Sequence, residues 1–182
     1  MHRSTAELET HLEHILDAPT QTGQVEMIVR RPADGEREVT QNGRLSLEDG
    51  LVGDNWKTRG NPNTDDGAAD PEAQVTLMNA RVSNAVAITA DQWALAGDQL
   101  YVDFDISIDN LPAGTRLAVG DAVVEISAKP HTGCAKFSER FGPEALRFVN
   151  VGIGRENRWR GVNAFVVQAG DLAIGDKTEK LV

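Results

Sequence analysis

Leu117-Ala118-Val119-Gly120-Asp121-Ala122-Val123-Val124-Glu125-Ile126 sets two short apolar runs on either side of a Gly-Asp pair. Glycine reaches positive φ without steric cost and aspartate favours turns, so the stretch predicts strands over residues 116–119 and 122–128. Val123, Val124 and Ile126 are the expected core residues. Gly175-Asp176 repeats the turn chemistry after the extended segment Leu172-Ala173-Ile174, which itself follows Ala164-Phe165-Val166-Val167. Upstream, strands are expected at Val25-Glu26-Met27-Ile28-Val29, around Glu38-Val39 beyond the Pro32-Ala33-Asp34-Gly35 turn, at Gln74-Val75-Thr76-Leu77-Met78, and over residues 100–108.

Helical signals are few. Ser4 and Glu7 have capping-box spacing, and Leu8, Leu12, Ile15 and Leu16 form an apolar stripe of helical period, predicting a short amphipathic helix. A second helix is expected over residues 81–88. One or two more are expected over 137–148, interrupted at Gly142-Pro143, where proline suits a helix start. Residues 56–71, rich in Gly, Asn, Asp and Pro, read as an exposed loop. Many short strands with few helices predict a mainly β fold, a closed or partly closed β-barrel rather than alternating β/α units. The expected organisation is a helical extension over 1–22 and one barrel domain over 23–182.

The 182 residues suffice for a substantial core, and a formal charge of −10 opposes nonspecific attraction to nucleic acid or an anionic membrane. The N-terminal region turns acidic without a continuous apolar run, so neither a secretory leader nor a membrane span is expected, and a cytoplasmic location follows as the default. The acidity is uneven. Lys129, Lys136, Arg140, Arg147, Arg155, Arg158 and Arg160 face only Glu139, Glu144 and Glu156 between positions 129 and 160, a cationic island suited to a small anionic ligand or to an ordinary solvated surface.

That island holds the single cysteine, in Lys129-Pro130-His131-Thr132-Gly133-Cys134-Ala135-Lys136-Phe137, followed by Arg158-Trp159-Arg160-Gly161-Val162. One cysteine excludes an internal disulfide and an all-cysteine zinc site. Nearby cations favour the thiolate, the form that attacks sulfur or binds a soft metal, whereas an isolated buried cysteine is a small hydrophobe. His131 could orient the thiol, act as an acid or base, or cap a loop. Arg160, with Arg158 and Lys136, could bind phosphate through a planar guanidinium or serve as an ion-paired arginine. Asp54 and Trp56 could line an opposite wall or be a turn aspartate and a core-edge indole. His2, His11, His14 and His131 form no convincing zinc set, and phosphate-loop and dinucleotide fingerprints are absent.

Three ordered elements resemble the MOSC domain family, related to the C-terminal domain of molybdenum-cofactor sulfurases: Gly50-Leu51-Val52-Gly53-Asp54 with the strand at 74–78; residues 117–126; and 130–134 with Arg160-Gly161-Val162-Asn163-Ala164 and the closing 170–176. The chain departs from larger members, which carry a Gly-Glu-Asn-type segment where only Asn110-Leu111 is reminiscent of it, and in which the cysteine directly follows proline. It looks like a compact, stand-alone member. The resemblance implies a barrel-like fold and binding of the pterin-bound molybdenum cofactor, with Cys134 as metal ligand and His131 beside it. Lys136, Arg158, Arg160, Gly161, Asp54 and Trp56 are the implied cofactor-binding residues. It further implies reduction of N-hydroxylated compounds with a separate electron-donor protein. The alternatives are a sulfur carrier that holds a Cys134 persulfide supplied by a separate cysteine desulfurase, since no pyridoxal-phosphate domain is expected in this chain, or a noncatalytic cofactor carrier.

Overall fold

A computed structural model describes residues 2–62 and 64–181. Its strands are β1 (Thr22–Arg30), β2 (Glu38–Thr40), β3 (Asn42–Ser46), β4 (Gly50–Leu51), β5 (Val75–Asn79), β6 (Leu100–Asp103), β7 (Arg116–Val119), β8 (Ala122–Ile126), β9 (Val162–Gln168), β10 (Gly170–Ala173) and β11 (Lys177–Leu181). The order β11-β7-β8-β9-β5-β6-β1 closes on itself because β1 also pairs with β11, and β2 extends the sheet beyond β1. The result is a seven-stranded closed barrel. Among the described residues only β5 and β6 run parallel in it. A small sheet, β10-β3-β4, packs beside it.

The β7–β8 hairpin turns at Gly120-Asp121 with Val119 opposite Ala122. Gly120 has φ +58, and a Cβ there would lie 2.8 Å from the Asp171 carbonyl oxygen, so the turn and its close approach both require glycine. Side chains alternate across a strand, so the adjacent Val123 and Val124 cannot both face inward. Ala122, Val124 and Ile126 fill the barrel, and Val123 is half-buried on the outer face, which corrects its expected core placement.

Two apolar clusters use the two faces of the same strands. Ile28, Leu77 and Leu100 point into the barrel core, whereas Val29, Met78 and Tyr101 join a second cluster under the helices. This double burial explains why β5 is buried at all five positions, with the adjacent Leu77 and Met78 both apolar and Thr76 and Asn79 held by buried hydrogen bonds.

The helices are α1 (Thr5–Glu9), α2 (Leu12–Leu16), α3 (Trp56–Arg59), α4 (Ala80–Val86), α5 (Ala135–Phe141), α6 (Pro143–Asn150) and α7 (Ile153–Glu156). The Ser4–Glu7 capping box forms, but the expected single N-terminal helix is two short ones. Leu8 and Ile15 are buried and Leu16 is exposed. Gly142, at φ +90, and Pro143 break the 137–148 stretch into α5 and α6.

Two further expectations differ from the structure. The segment 56–71 opens with a helix whose Trp56 is buried, its Nε1 donating to the Asp70 carbonyl at 3.2 Å. The strand expected over 100–108 stops at Asp103, because the Asp105 carboxylate accepts from Ser107 N (2.9 Å) and Ser107 Oγ (3.0 Å), turning the chain off the ladder. Among the described residues no helix is long and apolar enough to cross a membrane.

Candidate functional site around Cys134

Residues 127–134 form a strap from the end of β8 to α5, and Cys134 caps α5 in an extended conformation with its side chain exposed. The strap is held along its length. Asn163 Nδ2 donates to the carbonyls of Lys129 (3.1 Å) and Pro130 (3.2 Å), His131 Nε2 meets Asp98 Oδ1 at 2.8 Å, and Gly133 is bonded to Asn150.

Asp98 is the hub beneath it. Its carboxylate, wholly buried, also accepts from Arg160 Nη1 at 2.6 Å, while Arg160 Nη2 donates to the Ala96 carbonyl at 2.9 Å and the guanidinium stacks 5.1 Å from the Phe137 ring centroid. Burial alone would raise the Asp98 pKa, but the Arg160 charge and then His131 override it and hold the carboxyl well below the usual range. Burial, followed by repulsion from Arg160, pushes His131 below the ordinary histidine value despite the opposing pull of Asp98. A neutral imidazole facing a carboxylate carries its proton on Nε2, so His131 donates to Asp98. Gly161 allows this packing. It has φ +122, and a Cβ there would lie 2.7 Å from the Leu77 carbonyl oxygen and 2.9 Å from His131 Cδ2.

A second hub is built on Asp54, whose carboxylate is likewise wholly buried. Arg31 grips it with Nε (2.8 Å) and Nη2 (2.8 Å), and the backbone N–H groups of Arg31 and Trp56 each donate to it at 2.9 Å. Arg31 Nη1 reaches the Gly97 carbonyl at 2.9 Å, so residues 96–97 tie the two hubs together.

Between them lies a cleft of about 340 Å³ lined by Cys134, Arg37, Arg59, Lys136, Arg140 and Asn55, among others, with Asp34 as its one acid. None of those four cations makes an ion pair among the described residues. Burial and then the neighbouring guanidiniums push Arg37 and Arg59 below the ordinary arginine value, a sign of crowded positive charge. Asn55 Oδ1 and Arg37 Nε are buried without a partner. Burial acts to raise the Cys134 pKa, but the backbone N–H groups of Phe137 and Lys136 and the charges of Arg160 and Arg140 outweigh it, so the thiol is shifted toward thiolate.

The sequence-derived residues divide between two places. Cys134 and Lys136 face this cleft. His131, Arg158, Arg160 and Gly161 line a separate cavity bordered by the strap. Asp54 and Trp56 lie in the supporting structure, with Asn55 between them on the cleft wall. Asp98, Arg31, Arg37, Arg59 and Asn150 were missed by sequence reasoning. Gly97-Asp98 resembles the Gly-Asp turns elsewhere, and the arginines come from segments distant from the cationic island.

The fold is similar to that of the YuaD protein from Bacillus subtilis, with TM-score 0.66 and 14% identity over 87% of this chain and 95% of that one. YiiM from Escherichia coli gives 0.55 and 16% over 87% of this chain and 70% of that one. YiiM from Geobacillus stearothermophilus gives 0.52 and 11% over 88% and 73%. These are MOSC-domain folds. The likeness is one of fold: a closed β-barrel with a few helices. No family model matches the chain, and no curated protein matches it in sequence. The Cys134 cleft lies outside the closed sheet, where the strap and α5 meet the segments that follow β1 and β4.

Proposed function

We propose that the protein binds the pterin-bound molybdenum cofactor in the Cys134 cleft, with the Cys134 thiolate as ligand to the metal. The observation that carries this reading is the meeting of one accessible, thiolate-prone sulfur with four cations lacking ion pairs, in a protein of net charge −10. The residues present suit the group. A thiolate matches a soft, sulfur-bound metal, and guanidiniums match a pterin phosphate. The unpartnered Arg37 Nε and Asn55 Oδ1 are further polar groups on the same wall.

Arg160, the first choice for phosphate by sequence proximity, keeps both terminal nitrogens on Asp98 and Ala96, so the phosphate role passes to Arg37, Arg59, Lys136 and Arg140. Arg158 does not line this cleft; its Nη2 donates to the carbonyls of Ser107 and Leu111 beside the separate cavity. His131 acts here as a positioning residue, holding the strap that presents Cys134. When bound, the cofactor supplies two-electron oxygen-atom chemistry at molybdenum, suited to removing the oxygen of an N-hydroxylated compound with electrons from a separate donor protein.

Metal and pterin content of protein purified from a cofactor-producing host tests the reading. Cofactor present in the native chain, and lost in Cys134→Ser and in Arg37→Ala/Arg59→Ala, supports it. Cofactor absent from all three sinks it. The exposure of Cys134 favours a second reading, a persulfide carrier, and a cyanide-releasable sulfur on the native chain but not on Cys134→Ser would then identify that role. Bound cofactor without turnover of an N-hydroxylated compound by a supplied reductant would mark a carrier.

A further inference from the structure

The cavity bordered by the strap residues 127–133 has a volume of about 710 Å³, and no aspartate or glutamate is among its described lining residues. Its apolar lining residues are Ile108, Ala113, Ala128, Pro130, Val149 and Val162. Ile108 is an aliphatic side chain left half-exposed at this boundary. Four cations share the lining. Lys129 is neutralised by Asp70 and Arg160 by Asp98, whereas Arg155 and Arg158 have no carboxylate partner among the described residues. Arg155 therefore has no ion pair among the described residues and Arg158 only the charge of Asp105 near it, so positive charge predominates around an apolar-walled cavity in an acidic protein.

Arg158 adds an independent sign of construction. It is the one non-glycine residue at positive φ, +51, among the described residues, and its Nη2 donates to the carbonyls of Ser107 and Leu111. That latch fixes the segment carrying Ile108 and Ala113 over the strap. A strained backbone persists only where its surroundings impose it, and such residues cluster at binding sites.

We infer that this cavity is a second binding site, for a small organic anion with an apolar body, such as an aryl or alkyl carboxylate. The apolar wall accepts the body, and Arg155 and Arg158 supply the field for the headgroup. An inorganic anion would leave the apolar wall unused, and an organic cation would meet repulsion. The site is separate from the Cys134 cleft and does not depend on molybdenum binding.

Fluorescence titration of the full chain with 8-anilinonaphthalene-1-sulfonate tests the assignment. One saturable site is expected, displaced by 4-phenylbutyrate but not by 4-phenylbutylamine or inorganic phosphate at equal concentration. Arg155→Glu should weaken the probe by about tenfold, and Ala113→Trp, at an exposed lining position, should remove binding by filling the space. Arg44→Ala, on the remote strand β3, controls for loss of a surface cation and should bind as the native chain does. Circular dichroism melts establish that each variant is folded. Should Ala113→Trp not fold, Ile108→Asp at its half-exposed position replaces it, with the same loss expected. Native affinity in folded Arg155→Glu or in the folded blocking variant overturns the inference, as does equal displacement by the amine or by phosphate.

Discussion

Gly133 and Asn150 are joined by a reciprocal pair of hydrogen bonds: Gly133 N donates to Asn150 Oδ1 at 2.9 Å, and Asn150 Nδ2 donates to Gly133 O at 3.1 Å. The side-chain amide thus takes the place of a neighbouring strand for the residue preceding Cys134. A Cβ at Gly133 would lie 2.7 Å from Leu146 Cδ1 and 3.0 Å from Asn150 Nδ2, so a larger residue there would make the leucine or the clamp shift. Asn150→Ala leaves both peptide groups unsatisfied in a partly buried place and should cost about 1–3 kcal/mol, read as a lower urea midpoint. Alkylation of Cys134 at neutral pH should slow as well, because the N–H groups favouring the thiolate lose their alignment. An unchanged midpoint together with an unchanged rate would show that the clamp holds nothing in place.

Asp98 leaves no such slack. Asp98→Asn keeps the shape but strands the buried Arg160 guanidinium without its charge partner, for an expected loss of about 3–5 kcal/mol in chemical denaturation. Replacing both residues, as Asp98→Leu with Arg160→Met, should cost less than Asp98→Asn alone, because no uncompensated charge is then buried. A double variant less stable than the single one would contradict the pairing.

Several elements were legible because local chemistry and the final structure agree. Ser4 and Glu7 do form a capping box, Gly120-Asp121 does turn a hairpin, and Gly142-Pro143 does divide two helices. The strand that closes the barrel was missed. In Lys177-Thr178-Glu179-Lys180-Leu181 only Thr178 is buried, so the segment has little apolar signal, and its strand character comes from pairing with β1 and β7. The site was legible at Cys134 and Lys136, neighbours in sequence. It was not legible at Arg31, Arg37 and Arg59, which long-range folding brings to the same cleft, nor at Asp98, since residue type alone does not distinguish a buried acid from a turn acid.

His131 gives the protein a definite pH response. Its folded-state pKa lies below the ordinary value near 6.5, so as pH falls through that region the unfolded chain takes up a proton that the folded chain refuses. Stability should therefore decline below about pH 6.5 and level off once pH passes the folded-state value. Asp98, whose carboxyl is depressed in the fold, contributes stability above the unfolded carboxylate pKa that is lost only as pH falls toward its own lower value. The two responses are separable by pH. Urea midpoints from pH 8 to pH 5 should drop in the native chain and drop less in His131→Gln, where His11, also pushed down by burial and then by Arg3, keeps part of the response. The same slope in both proteins would remove His131 as the source.

The thiol of Cys134 should react as a thiolate over a lower pH range than free cysteine. Burial opposes this, but the α5 N–H groups and the charges of Arg160 and Arg140 prevail. Arg140 is the cation to change, because Arg160 is bound into the Asp98 pair while Arg140 uses Nη1 only to hold the Leu95 carbonyl at 2.6 Å. The pH profile of iodoacetamide alkylation should have its midpoint below that of a cysteine-containing peptide. Arg140→Gln should move it upward. Added salt should move it the same way in the native chain and less in the variant, since screening weakens an exposed cation's effect on the thiolate. A native profile coincident with the peptide's, and unmoved by Arg140→Gln, would mean that the cleft's charge does not reach the sulfur, removing the electrostatic basis for its role as a ligand or nucleophile.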